Sequence, residues 1–202
     1  MTALVAAHLG LGAEVETLLI STVVVAVAEI GDKTQLLAMV LATRFKQPLP
    51  IILGILCATM ANHALAAMGG YYLSDFLSGA WFQYLIAASF IAMAFWTLIP
   101  DKVEDANEAP PRIGAFLTTL MAFFLIEIGD KTQIATAALA ARFHNVIFVA
   151  AGTTAGMLLA DVPAVLLANQ AINFVPLEYM RIGAALLFFG LGVWVLMALW
   201  IG

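Results

Sequence analysis

The residues with the most chemistry in this chain stand in two identical heptapeptides. Glu29-Ile30-Gly31-Asp32-Lys33-Thr34-Gln35 recurs letter for letter, 98 residues later, as Glu127-Ile128-Gly129-Asp130-Lys131-Thr132-Gln133. Each copy offers two carboxylates, an ammonium, a hydroxyl and an amide. This donor set is hard oxygen without Cys or His, which suits Ca²⁺, Mn²⁺ or Mg²⁺ and disfavours Zn²⁺ or Cu⁺. Candidate metal ligands are Glu29, Asp32, Gln35, Glu127, Asp130 and Gln133, with the Thr34 and Thr132 hydroxyls as a further option. The two copies together carry four carboxylates and two ammoniums, a surplus of two negative charges. Facing each other, they repel unless they hold protons or a cation. One divalent cation, or two protons, restores neutrality. Cation binding to such a cluster displaces protons, so exchange of a cation for H⁺ follows directly. The competing reading is a structural ion pair within each copy, Glu29 or Asp32 with Lys33. Helical spacing places Glu29, Asp32 and Lys33 on one face of a helix, and Glu127, Asp130 and Lys131 likewise. Gly31 and Gly129 permit close backbone approach or a local break, which would expose carbonyl oxygens.

The elements that position these motifs are hydrophobic. Of 202 residues, 64% are hydrophobic and 10% charged, with a net charge of −5, and the mean hydropathy is +1.04. A soluble domain carries about 25% charged residues, and a chain of this size cannot hide so much apolar surface from water. A single cysteine, Cys57, excludes a disulfide scaffold, and the absence of a basic patch excludes nucleic acid as a partner. A spanning helix needs about 20 apolar residues. Six stretches qualify: 17–43, 50–74, 81–100, 113–141, 146–170 and 180–200. The expected fold is therefore an all-α integral membrane protein of six transmembrane helices, with the lipid bilayer as its solvent. Both motifs then fall near mid-bilayer, where a carboxylate costs about 2.5–3.5 kcal/mol on insertion scales and is read as functional by default.

Duplication extends beyond the heptapeptide. Leu41-Ala42, Arg44-Phe45, Gly54 and Trp96 match Leu139-Ala140, Arg142-Phe143, Gly152 and Trp194 at the same offset. The chain divides into repeat one (1–100), an acidic, proline-containing linker (101–112) and repeat two (113–202). An odd number of spans per repeat turns the second repeat upside down. Two inverted three-helix repeats place a shared site at the midplane. Arg44, Lys46, Lys102, Arg112 and Arg181 lie on one side and Arg142 on the other. The first side is expected to be cytoplasmic, with both termini outside. No Lys or Arg precedes the first apolar run, and Glu14 and Glu16 do, so that run is expected to be retained rather than cleaved.

Two copies of E-x-G-D-K-[S/T], one per three-helix half, resemble the small membrane cation/proton antiporters of the manganese exporter and Golgi calcium/manganese transporter type. The resemblance implies transport of Mn²⁺ or Ca²⁺, as substrate rather than cofactor, in exchange for H⁺. It places the cation site on Glu29, Asp32, Glu127 and Asp130, with Gln35 and Gln133 as additional ligands. Gly31, Lys33, Thr34, Gly129, Lys131 and Thr132 become supporting residues. Short bacterial members resemble manganese exporters, which favours Mn²⁺ and a bacterial inner membrane, and leaves room for a homo-oligomer.

Polar residues elsewhere in the spans carry two readings each. His63 and Asp161 occupy equivalent positions and read as a proton relay or second shell, against a helix–helix hydrogen bond. Asn62 reads first as such a hydrogen bond, and Ser21 and Thr119 as hydroxyls bonded back along their own helices. Among functions, a secondary antiporter leads, since no phosphate-binding G-x-x-x-x-G-K-[S/T] loop is present to use ATP. A channel lined by acidic rings is weaker, because a tandem repeat already supplies both halves. An amino-acid exporter would use Lys33 and Lys131 on a substrate carboxylate. An intramembrane aspartyl protease built on Asp32 and Asp130 is disfavoured by the adjacent lysines, so no enzyme is expected.

Overall fold

The computed structural model of the chain describes residues 12–76, 80–99, 114–168 and 177–201. These form eight helices and no strand: α1 Ala13–Glu29, α2 Lys33–Phe45, α3 Pro48–Phe76, α4 Ala80–Thr97, α5 Ala115–Glu127, α6 Lys131–Phe143, α7 Val146–Leu167 and α8 Leu177–Ile201. The expected linker, 101–112, lies outside the described residues. Three stretches are long and apolar enough to cross a membrane, namely Pro48–Asp75, Val146–Leu167 and Ile182–Trp200. Helix α4, with 18 residues, reaches about 27 Å, just short of a hydrocarbon core of about 30 Å.

The first and fourth expected spans are each two helices. The break falls inside the motif in both. Ile30 has φ −62° and ψ 118°, Gly31 has φ 80°, and the Asp32 amide donates to the Glu29 carbonyl at 3.0 Å. Ile128 has φ −62° and ψ 117°, Gly129 has φ 77°, and the Asp130 amide donates to the Glu127 carbonyl at 3.0 Å. These are the dihedrals of a type II β-turn, whose third residue needs positive φ and therefore glycine. The single-helix face proposed for Glu29, Asp32 and Lys33 is thus corrected. Glu29 closes one helix, Asp32 caps the next, and the turn redirects the chain between them.

The halves pack crosswise. Helix α1 lies on α7, and α5 lies on α3, while α4 pairs with α8. Equivalent glycines make both cross-contacts. A Cβ on Gly152 would stand 2.6 Å from the Leu18 carbonyl oxygen and 2.8 Å from Ser21 Cβ. One on Gly54 would stand 2.8 Å from both the Phe116 carbonyl oxygen and Thr119 Cβ. Only hydrogen fits there, so the helices touch backbone to backbone, as small residues allow between spanning helices. One turn on, Gly156 meets Thr22 and Ala26. The contacts advance in step along both chains, so α1 and α7 run in the same direction. Ser21 and Thr119 have no hydrogen-bond partner among the described residues, which corrects the expected back-bonding. Their carbons fill the glycine contact instead.

Polarity is distributed inside out. Val23, Leu65, Leu125, Leu159 and Leu186 face outward and exposed, whereas Thr59, Asn62, His63, Thr153 and Asp161 are buried together with the motif acids. Such a continuous apolar exterior suits lipid rather than water.

Candidate functional site

The two type II turns bring four helix ends together. Helices α1 and α5 present their C-terminal, carbonyl-bearing ends, and α2 and α6 their N-terminal ends. Partial charges at such ends attract cations and anions respectively. Gln35 and Gln133 hold the turns open: the Gly31 amide donates to Gln35 Oε1 at 2.8 Å, and the Gly129 amide to Gln133 Oε1 at 2.7 Å. Gln35 Nε2 also donates to the Ala160 carbonyl of α7 at 3.0 Å. Both amide oxygens are therefore engaged with backbone.

The motifs meet by exchanging charge. Lys33 Nζ lies 2.8 Å from Asp130 Oδ1, and Lys131 bonds Asp32. Each lysine neutralises the aspartate of the other repeat, so the competing reading of an ion pair within a single motif gives way to pairs between motifs. A lysine at the first position of a half-helix points across the turn, away from its own preceding cap. Asp130 also accepts from the Thr132 amide at 3.4 Å and hydroxyl at 3.2 Å. Asp32 has no equivalent cap bond, and its Oδ2 lacks a hydrogen-bond partner among the described residues.

With the aspartates paired, the glutamates hold the surplus charge, and their surroundings differ. Glu127 accepts from the Thr59 hydroxyl at 2.9 Å and from Asn62 Nδ2 at 3.2 Å, and Asn62 also donates to the Phe124 carbonyl at 3.0 Å. Asn62 thus satisfies both of its readings, an interhelical bond and a contact to the site. Thr59 escaped sequence reasoning, although its spacing of i, i+3 from Asn62 puts both on one face of α3. Glu29 accepts from its own motif's Thr34 hydroxyl, and its Oε2 lacks a partner among the described residues. The positions on α7 equivalent to Thr59 and Asn62 are Met157 and Ala160, which have no side-chain donor. Glu29 also feels the charges of Asp161, Asp130, Lys131 and Glu127. His63 and Asp161 are fully buried, and none of their side-chain nitrogens or oxygens has a hydrogen-bond partner among the described residues. Nor do three or more His, Cys, Asp or Glu side chains among those residues converge into a metal cage.

Twin half-helix breaks, buried charge and an apolar exterior define a membrane protein built to hold small ions away from lipid. The family description "Divalent cation/proton antiporter GDT1" matches residues 17–105 and 115–201, so the chain belongs to the GDT1 family. It is 48% identical over 183 residues to a Vibrio cholerae protein named "Putative manganese exporter", covering 90% of this chain and 88% of that one. A GDT1-like protein of Synechocystis is 30% identical over 163 residues, covering 70% of this chain and 78% of its own. A GDT1-like protein of Arabidopsis thaliana is 26% identical over 204 residues, covering 82% and 89%. No solved structure matches the chain.

Proposed function

We propose that this chain exports a divalent cation, Mn²⁺ in preference to Ca²⁺, in exchange for H⁺, through one site that both motifs share. The observation that carries the reading is the crossed pairing of Lys33 with Asp130 and Lys131 with Asp32. It makes one charge cluster of two motifs that stand 98 residues apart. In this arrangement the lysines act as tethered cations. An arriving Mn²⁺ competes with them for Asp32 and Asp130 and draws in Glu29 and Glu127. Gln35 and Gln133 join as ligands only by releasing Gly31 and Gly129. His63 belongs to the second shell through which protons reach the acids. The 48% identity to a protein named "Putative manganese exporter" supports the metal preference.

Six spans in two inverted repeats, 1–100 and 113–202, accommodate this site at the midplane. The parallel course of α1 and α7 supports that topology, because a first and a fifth span cross a bilayer in the same sense. Basic residues at Arg44, Lys46 and Arg181 support a cytoplasmic face there, with both termini outside, in a bacterial inner membrane. The test is Mn²⁺ uptake into everted membrane vesicles with and without an imposed ΔpH. The expected result is saturable uptake that follows ΔpH. Uptake indifferent to ΔpH overturns the reading.

A further inference from the structure

The twin motifs invite a symmetric site, but the residues around them are not symmetric. Glu127 is tied by two donors from α3, whereas α7 offers Glu29 none from the equivalent positions. Instead α7 brings a carboxylate. The α1–α7 contact fixes its level. Gly156 packs between Thr22 and Ala26. Asp161 lies five residues beyond Gly156, and Glu29 three to seven beyond those partners. The two helices run in the same direction with the same rise. Asp161 therefore lies at the level of Glu29, near the end of α1. The Gln35 bond to the Ala160 carbonyl fixes the same register independently. Both Asp161 oxygens and Glu29 Oε2 are buried without hydrogen-bond partners among the described residues. Two carboxylates buried at one level with open lone pairs are strongly unfavourable unless something positive joins them. Repeat one has His63 at the equivalent position, which adds no carboxylate beside Glu127.

We infer that Asp161 is a direct ligand of the transported divalent cation, which sits off the pseudo-two-fold axis between Glu29 on α1 and Asp161 on α7. Two carboxylates neutralise one divalent cation. The Thr34 hydroxyl and the carbonyl end of α1 supply further hard oxygen. Glu127, held by its donors from α3, joins the same site from the other repeat. The inference rests on the shared-site reading above and adds a ligand that the motif does not contain.

The test is calorimetric titration of the purified full chain with Mn²⁺ alone, for the wild type, Asp161→Asn, Asp161→Glu and Glu29→Gln. Asp161→Asn and Glu29→Gln are each expected to weaken Mn²⁺ binding by about 100-fold or more, at or beyond the usual effect of losing a supporting group. Asp161→Glu, which keeps the charge, retains measurable binding, a distinction that a packing role would not produce. If Asp161→Asn does not accumulate as folded protein, Asp161→Ser removes the same charge from a smaller side chain and is read identically. Mn²⁺ affinity of the neutral variant within about threefold of wild type, with binding lost in Glu29→Gln, overturns the inference and leaves the shared site standing. Unchanged binding in Glu29→Gln overturns the shared site itself.

Discussion

Removal of the Lys33 ammonium tests the crossed pairing most sharply. Lys33 and Asp130 are 2.8 Å apart, with side chains 24% and 3% exposed. At an effective dielectric of about 20, two unit charges at this distance attract by about 6 kcal/mol before desolvation is subtracted. Breaking a buried pair from one side costs about 3–5 kcal/mol, because the remaining charge is stranded. Lys33 is a quarter exposed, and Asp130 keeps its two bonds from Thr132, so Lys33→Met should fall near the lower figure, about 3 kcal/mol. For a chain of this length that corresponds to a Tm lowered by about 6–12 °C. Lys131→Met should cost more, since Asp32 keeps no cap bond and its pair is nearly fully buried. The assay is thermal unfolding of the detergent-solubilised protein, combined with second-site rescue. Asp130→Asn, which removes the stranded charge, should restore most of the loss in Lys33→Met. Asp32→Asn should restore none. Rescue by Asp32→Asn and not by Asp130→Asn would return the pairing to within each motif and refute the reasoning.

Three further outcomes follow from the same geometry. Gly31→Ala or Gly129→Ala forces a Cβ into positive φ and should cost about 1–2 kcal/mol each, read as a Tm lowered by about 2–8 °C. Gly152→Leu drives a side chain into the Leu18 backbone and should abolish recovery of folded protein, whereas Gly183→Ala, with open space around it, should behave as wild type in the same purification. Thr59→Val or Asn62→Leu strips a donor from the Glu127 carboxylate and should lower stability by about 1.5–3 kcal/mol in the thermal assay, with Glu127→Gln relieving part of that loss.

Much of the site was legible in the sequence, and the limits have physical causes. Exact repetition of a polar heptapeptide in an apolar chain marked Glu29, Asp32, Glu127 and Asp130. Gly31 and Gly129 admitted a break alongside close backbone approach, because the third position of a type II turn favours glycine. Helical periodicity misled once the chain broke, since a shared face presumes a continuous helix. Partner choice across the repeats was illegible, as no spacing rule relates Lys33 to a residue 97 positions away. Thr59 gave only a weak signal, a hydroxyl on the Asn62 face. The common level of Asp161 and Glu29 depends on how Gly152 and Gly156 seat α7 on α1, which is tertiary packing and leaves no local pattern.

The central claim is that two motifs make one cation site. It is tested most directly by counting Mn²⁺ ions bound per chain, by electron paramagnetic resonance, in the wild type and in Glu29→Gln. The account predicts one ion in the wild type and none in a variant that still folds. Two ions falling to one would mean that each motif binds independently and would contradict it.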